Sequence, residues 1–259
     1  MQQIKKILKK ILFIIKYILT VVKYSCSPNS RPYALKLYEE SIPYAPKEKI
    51  DAWDLYEKDE IISSYNHFKK YFSKSIFLFY KEQILEYALK KSFKNKDFEN
   101  TLYLEFGVFN GDSINFISKK TNKIPIYGFD SFEGIDNDWS GYYLPEGYFN
   151  LNKKIPKLDK KVIPIVGLIQ ETLPKFLIEN NKKINFMHID TDIYESAKTI
   201  LLCTKKYLLK DCIIVFDELY NFPGWSVGEY KALTEIFNES EYKFLAFAKN
   251  GQQAVIQII

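Results

Sequence analysis

Four short apolar runs in this chain end in carboxylates. The first, Leu104-Glu105-Phe106, passes into Gly107-Val108-Phe109-Asn110-Gly111-Asp112-Ser113, and the second ends in Tyr127-Gly128-Phe129-Asp130-Ser131-Phe132-Glu133-Gly134. Glycines at 107 and 111 permit a tight turn and a close approach of ligand to backbone at a helix start. Glu105 is an anion where a pyrophosphate-binding glycine loop normally carries none, so this loop suits a ligand with a cationic amino-acid end. Asp130 lies 23 residues beyond Gly107, the spacing at which an acid at a strand tip accepts the two hydroxyls of a ribose. The alternative is a plain glycine turn of an α/β protein with a solvated acid.

The other two runs are Asn185-Phe186-Met187-His188-Ile189-Asp190-Thr191-Asp192 and Val215-Phe216-Asp217-Glu218. Asp190, Asp217 and Glu218 offer three hard oxygen ligands, a set that suits Mg²⁺ binding two substrate oxygens and lowering the pKa of a hydroxyl. Asp192 is either a fourth ligand or the general base. His188 shares strand parity with Asp190, which makes it a base or a core histidine with satisfied nitrogens. The competing reading is metal-free, with these acids bonding backbone amides or substrate hydroxyls.

These residues meet only if their runs are neighbouring strands. After residue 100 the chain alternates between apolar runs at 101–106, 124–129, 162–166, 184–189, 212–216, 243–248 and 253–259 and helical stretches near 113–120, 173–180, 194–209 and 228–237. Such alternation predicts a doubly wound parallel sheet. Asn250-Gly251 between the last two runs is a hairpin signal, so the last strand runs antiparallel beside its predecessor. The expected fold is thus α/β, a seven-stranded, mostly parallel, Rossmann-like sheet. Ahead of it residues 49–98 are helical in pattern, including a helix over 76–91 with Ile76, Phe79, Tyr80, Ile84 and Leu85 at helical spacing. The organisation is an arm over 1–30, a connector and helical cap over 31–98, and a ligand-binding domain over 99–259. The aromatic segment 136–161 is long for a connection and reads as a substrate lid or a dimer contact. Trp225 and Tyr230 are either sugar-stacking faces or core aromatics.

The run from Glu105 to Ser113, the Gly128-Phe129-Asp130-Ser131-Phe132-Glu133-Gly134 segment, the Glu171-Thr172-Leu173-Pro174 step, the segment from His188 to Ser196 and Phe216-Asp217-Glu218 together resemble the macrocin O-methyltransferase (TylF-like) family. That family belongs to the class I methyltransferases, which use S-adenosylmethionine (SAM). The resemblance covers residues 76–259 and implies methyl transfer to a hydroxyl of a sugar or other polyhydroxylated small molecule, assisted by Mg²⁺. By it Glu105, Gly107 and Gly111 line the methionine end of SAM and Asp130 its ribose, with Asp112, Ser113 and Ser131 completing the cofactor set. Asp190, Asp217 and Glu218 match the metal acids. The family pattern has Asp-Asp at the last pair, so Asp217-Glu218 is a departure. A catalytically silent, membrane-associated scaffold that keeps the SAM-binding fold is the alternative. An NAD-dependent oxidoreductase is disfavoured by Glu105 and by the antiparallel hairpin.

The arm lies outside the resemblance. Residues 1–31 hold seven of the 37 basic residues and no acid, leaving 30 basic against 32 acidic in the remainder. The body is therefore not a basic nucleic-acid-binding surface, and only one basic residue, Arg31, has the planar fork that base readout favours. Residues 4–23 place lysines on one helical face and aliphatic side chains on the other, a basic amphipathic pattern suited to peripheral contact with a membrane surface. An anchor or signal helix, or packing on its own domain or on a dimer partner, remains open; the charge-free stretch is far short of the ~20 residues that span a bilayer. Three widely spaced cysteines, Cys26, Cys203 and Cys212, form no disulfide framework or zinc motif. The expected location is the cytoplasm, at the inner face of the membrane if the arm binds lipid, in surface-polysaccharide biosynthesis. A homo-oligomer is compatible with the aromatic segment.

Overall fold

The computed structural model describes residues 51–95, 100–121 and 123–259. The arm, its proposed membrane contact at 4–23, the connector up to residue 50 and Cys26 lie outside the described residues. In chain order the elements are α1 (Ala52–Phe72), β1 (Ile76–Leu78), α2 (Lys81–Ser92), β2 (Leu102–Phe106), α3 (Asp112–Lys120), β3 (Ile126–Asp130), β4 (Val162–Val166), α4 (Ile169–Asn180), β5 (Ile184–Ile189), α5 (Tyr194–Thr204), β6 (Leu208–Phe216), α6 (Glu229–Ile236), β7 (Tyr242–Ala248) and β8 (Ala254–Ile258).

The strands form one sheet in the order β1-β7-β8-β6-β5-β2-β3-β4. All pairings are parallel except those of β8, which runs antiparallel to both β6 and β7. The seven expected strands and the antiparallel end of the chain are present. An eighth, β1, departs from expectation. The run Ile76-Phe77-Leu78 does not open a helix; it pairs in parallel with Ala246, Phe247 and Ala248 at the sheet edge, and α2 begins only at Lys81. Five consecutive apolar residues from Ile76 to Tyr80 fit a strand as well as a helix, and the free edge of β7 decides for the strand.

Side chains alternate across the sheet, which divides the core in two. On β2, Leu102, Leu104 and Phe106 join the layer built by Phe68 of α1, Leu173, Phe176 and Leu177 of α4, Ala197, Ile200 and Leu201 of α5 and Leu233 of α6. Tyr103 of β2, Phe186 of β5 and Val215 of β6 face the other way, toward Ile84, Leu85 and Leu89 of α2 and Ile114 and Ile117 of α3. By the same parity Glu105, His188 and Asp217 belong to the α2–α3 side.

Helix α1 is attached through a stripe at four-residue spacing. Tyr56 Oη donates to Gly141 O at 3.2 Å, Glu60 Oε2 accepts from Gly224 N at 3.1 Å, Ser64 Oγ accepts from Asn221 N at 2.8 Å, and Phe68 is fully buried. This stripe is mostly polar, and it places α1 over the loops that follow β3 and β6. Phe68 meets Tyr220, Trp225, Tyr230, Phe244 and Phe247 at ring centroid distances of 5.1 to 5.9 Å. Replacing it by Ala is expected to cost about 3–5 kcal/mol, the range for deleting a buried aromatic side chain. Urea unfolding followed by circular dichroism checks this; a loss below about 1 kcal/mol would mean that α1 is not anchored by this cluster.

Candidate active site

Sheet register sets the site. Asp190 N donates to Phe106 O and Asp217 N to Ile189 O, both at 2.9 Å, so Gly107, Asp190 and Asp217 follow one another across the carboxyl ends of β2, β5 and β6. Gly107 stands at φ +84°, and a Cβ there would lie 1.7 Å from Asp190 O. Only glycine fits, and the absence of a side chain lets the β2–α3 loop close directly on the acid-bearing turn. Gly111 caps α3 in the left-handed conformation at φ +86°.

Asp130 binds that loop from the tip of β3. Its Oδ2 accepts from Val108 N and Phe109 N at 2.7 Å each, and Oδ1 from Phe132 N at 2.7 Å. A carboxylate has about four lone-pair sites, so Asp130 keeps acceptor capacity for a ligand while ordering the loop. Ser113 Oγ donates to Glu105 Oε1 at 2.7 Å. Asp112 and Ser131 are engaged in their own turns: Asp112 Oδ2 accepts from Asn110 Nδ2 at 2.8 Å and Ser131 Oγ from Glu133 N at 3.1 Å. The structure thus brings Glu105, Gly107, Gly111, Ser113 and Asp130 around one loop, with Asp112 and Ser131 at its margin.

Beneath the edge runs a chain of charged groups. His188 is fully buried, with Nδ1 at 3.1 Å from Glu105 Oε2 and Nε2 at 3.3 Å from Asp217 Oδ1. Burial opposes charge on the ring, but hydrogen bonds to Asp217 and Glu105 outweigh it and raise the pKa to about 10. This is the core-histidine arrangement, with both nitrogens occupied. Lys81 Nζ lies 2.7 Å from Asp190 Oδ2 and 2.8 Å from Asp217 Oδ1. Burial pushes Asp217 up, yet the Lys81 charge and the His188 hydrogen bond prevail and hold it far below the usual carboxylate range.

The neighbouring acids go the other way. Burial first, and then the negative charges around them, raise Asp190, Asp192, Glu218 and Glu229 above the ordinary carboxylate values, the last three strongly. Asp192 sits at φ +66°, a left-handed conformation that costs a non-glycine residue energy and that clusters at functional sites. Glu229, at the start of α6, accepts from Glu218 N at 3.1 Å through Oε2. Glu218 Oε2 and Glu229 Oε1 are buried without a hydrogen-bond partner. Among the described residues, Asp190, Asp192 and Glu218 each bring an oxygen to within 4.8 Å of the others, as do His188, Asp190 and Asp217 with one ligand atom each. The first set is all hard oxygen and fits a divalent cation. In the second, the histidine is taken up by carboxylates. Asp192 therefore stands beside Asp190 and Glu218 where the sequence pattern points to Asp217.

Lys81 and Glu229 escape sequence reading. Lys81 is one lysine among 36, at a helix N-terminus that disfavours a cation, and nothing local marks it. Glu229 follows a glycine like any helix-start acid. Trp225 and Tyr230 pack with His67 and Phe68; Trp225, 4% exposed, is a core aromatic, and Tyr230 is half-buried against the core. The aromatic segment packs on its own domain: Trp139 meets Phe222 at 6.1 Å, and Phe149 meets Phe109 of the glycine loop at 5.2 Å. Among the described residues no helix is long and apolar enough to cross a membrane; Cys203 and Cys212 are free.

A family model described as a methyltransferase domain matches residues 104–219, from the strand bearing Glu105 to just past Glu218. That match and the sheet order together give these residues a methyltransferase-domain sequence on a class I methyltransferase fold. The chain is similar in fold to the crystal structure of CalS11, a calicheamicin methyltransferase, at 19% identity with a TM-score of 0.57, covering 89% of this chain and 93% of that one. It is also similar to apo CalS11, described as a TDP-rhamnose 3′-O-methyltransferase, at 18% identity and a TM-score of 0.51, with 89% and 95% covered. The O-methyltransferase NovP aligns at 18% identity with a TM-score of 0.49 over 69% and 79% of the two chains. No curated protein sequence matches the chain.

The buried histidine gives the methyltransferase domain a defined pH response. Its folded pKa of about 10 lies above the ordinary 6.5, so its stabilising contribution is complete below about pH 6.5 and is lost as the pH rises toward 10. Thermal unfolding is expected to show stability falling across that window, and His188→Gln is expected to remove this component of the slope. Parallel slopes for the two proteins would show that His188 is neutral in the fold.

Proposed function

We propose that the protein is a SAM-dependent O-methyltransferase that methylates a hydroxyl of a sugar or other polyhydroxylated small molecule, assisted by a divalent cation such as Mg²⁺. The observation that carries this reading is the contact of Gly107 with the Asp190 carbonyl, which sets the cofactor loop against a cluster of acids with almost no space between them. A methyl donor held at the loop then faces groups that can hold and deprotonate an alcohol. The description of CalS11 as a TDP-rhamnose 3′-O-methyltransferase supports a glycosyl acceptor.

Bound SAM supplies an electrophilic methyl on a sulfonium, and a bound divalent cation supplies positive charge that lowers a hydroxyl's pKa. The protein does the rest by position. Asp130 and the amides it orders fix the ribose end, while Ser113 and Glu105 shape the floor under the methionine end. Asp190, Asp192 and Glu218 are the residues that would hold the cation. Asp192 would accept the hydroxyl proton on the carboxylate oxygen not committed to the cation, as the O–CH₃ bond forms and the S–CH₃ bond breaks. His188 acts as a positioning residue for Asp217. The segment 131–161 and α1 cover the acceptor side.

Calorimetric titration with S-adenosylhomocysteine tests the reading. Wild type is expected to bind, Asp130→Ala to bind at least about tenfold more weakly, a loss of roughly 1.4 kcal/mol, and Asp190→Ala to bind like wild type. A folded wild type that binds none would overturn the enzyme reading in favour of a scaffold. With an accepted substrate in hand, Asp192→Asn is expected to lower kcat by about 10² to 10⁴, the range for loss of a general base, with little change in S-adenosylhomocysteine affinity.

A further inference from the structure

Lys81 enters the acid cluster from outside the methyltransferase segment. It is the first residue of α2, and its place is set by β1, whose three residues pair with Ala246, Phe247 and Ala248 and whose Leu78 O accepts from Lys249 N at 2.6 Å. The strand at the sheet edge thus delivers a lysine to the carboxyl end of β5 and β6. The positive end of the α2 dipole is an unfavourable place for an ammonium, and the acids opposite compensate. Asp217 has a partner on each oxygen: Oδ1 is shared by Lys81 at 2.8 Å and His188 at 3.3 Å, and Oδ2 accepts from Gln253 Nε2 at 3.2 Å. Glu218 is the opposite case, 8% exposed with Oε2 lacking any partner.

We propose that Lys81 is the resident cation of the acid cluster. Its ammonium holds Asp190 and Asp217 side by side and closes that half to a divalent ion, which leaves the Asp190, Asp192 and Glu218 half, with its orphaned oxygen, as the half open to one. The second part rests on the function proposed above; the first does not. A neutral residue at position 81 exposes Asp217 and Asp190 together, so such a variant exchanges an internal cation for an external one.

The test compares wild type, Lys81→Met and Lys81→Arg by thermal unfolding in EDTA and in Mn²⁺ or Mg²⁺, and by calorimetric titration with Mn²⁺. Wild type and Lys81→Arg are expected to stay folded in EDTA. Lys81→Met is expected to lose roughly 5–10 °C of Tm in EDTA, the scale for stranding buried charge in a domain of this size. It is also expected to regain most of that in Mn²⁺ and to bind Mn²⁺ about tenfold more tightly than wild type. Folding only in Mn²⁺ is the same result in stronger form. A Lys81→Met protein that is as stable as wild type in EDTA, that gains no more from Mn²⁺ than wild type does, or that folds in neither condition overturns the proposal. So does a wild type that unfolds in EDTA. If wild type ignores Mn²⁺ while Lys81→Met responds, the lysine's role stands and the metal part of the proposed function fails.

Discussion

Everything at the carboxyl edge of this sheet depends on how five carboxylates coexist where water is largely excluded. Asp190, Asp192, Asp217, Glu218 and Glu229 come from the ends of two adjacent strands and one helix start, and all but Asp190 are buried. Removing a carboxylate from water costs several kcal/mol even after relaxation, so they cannot all be charged without cations of matching number. Among the described residues two meet them, the Lys81 ammonium and the His188 ring, and both converge on Asp217. That one acid is consequently held ionised, while the others are driven toward neutrality by burial and by each other. The cluster therefore has one charged anchor and several acids that are ready to ionise when positive charge arrives, the electrostatic condition for taking up a cation.

Topology creates this problem and also limits it. Parallel strands in register bring Gly107, Asp190 and Asp217 into one row, and Gly107 is the single position in that row without a side chain. The antiparallel β8, inserted between β6 and β7, returns Gln253 beside Asp217, where its amide donates to Oδ2. The β1 edge, outside the seven-stranded frame, brings Lys81. Two elements that look peripheral in the strand order thus neutralise or satisfy the acid that the central strands strand at the edge.

The sheet was legible in the sequence because buried parallel strands are short apolar runs bounded by breakers, and from 101 onward the chain repeats that pattern without ambiguity. Hairpin chemistry at Asn250-Gly251 fixed the direction of β8. The run at 76–80 was not legible, since five apolar residues in a row satisfy either period and only the unpaired edge of β7, a tertiary feature, resolves them. Asp190, Asp192, Asp217 and Glu218 announced themselves as acids at strand ends, where solvation alone gives no reason to place so many. Lys81 and Glu229 did not, because their importance lies in what they face across the fold. The stripe of α1, Tyr56, Glu60, Ser64 and Phe68, was hidden for a related reason: it attaches to loops by hydrogen bonds and therefore lacks the aliphatic periodicity that marks a helix packed on a sheet.

A continuous path of hydrogen bonds and ion pairs joins the two halves of the site, from Ser113 on α3 through Glu105, His188 and Asp217 to Lys81 and Asp190. Each link but the first lies within the sheet edge or between it and α2, and buried side chains cover both faces of that sheet. The loop that would hold the methyl donor and the acids that would receive the acceptor therefore share one rigid floor, and the distance between them is fixed by Gly107 against Asp190 before either ligand binds. Preorganisation of this kind suits a reaction whose main requirement is alignment of three atoms. The proposed acceptor side is held differently: 131–161 and α1 meet there through single hydrogen bonds such as Tyr56 to Gly141 and edge-to-face rings such as Trp53 on Tyr143. That side can change in sequence without disturbing the charge balance beneath it.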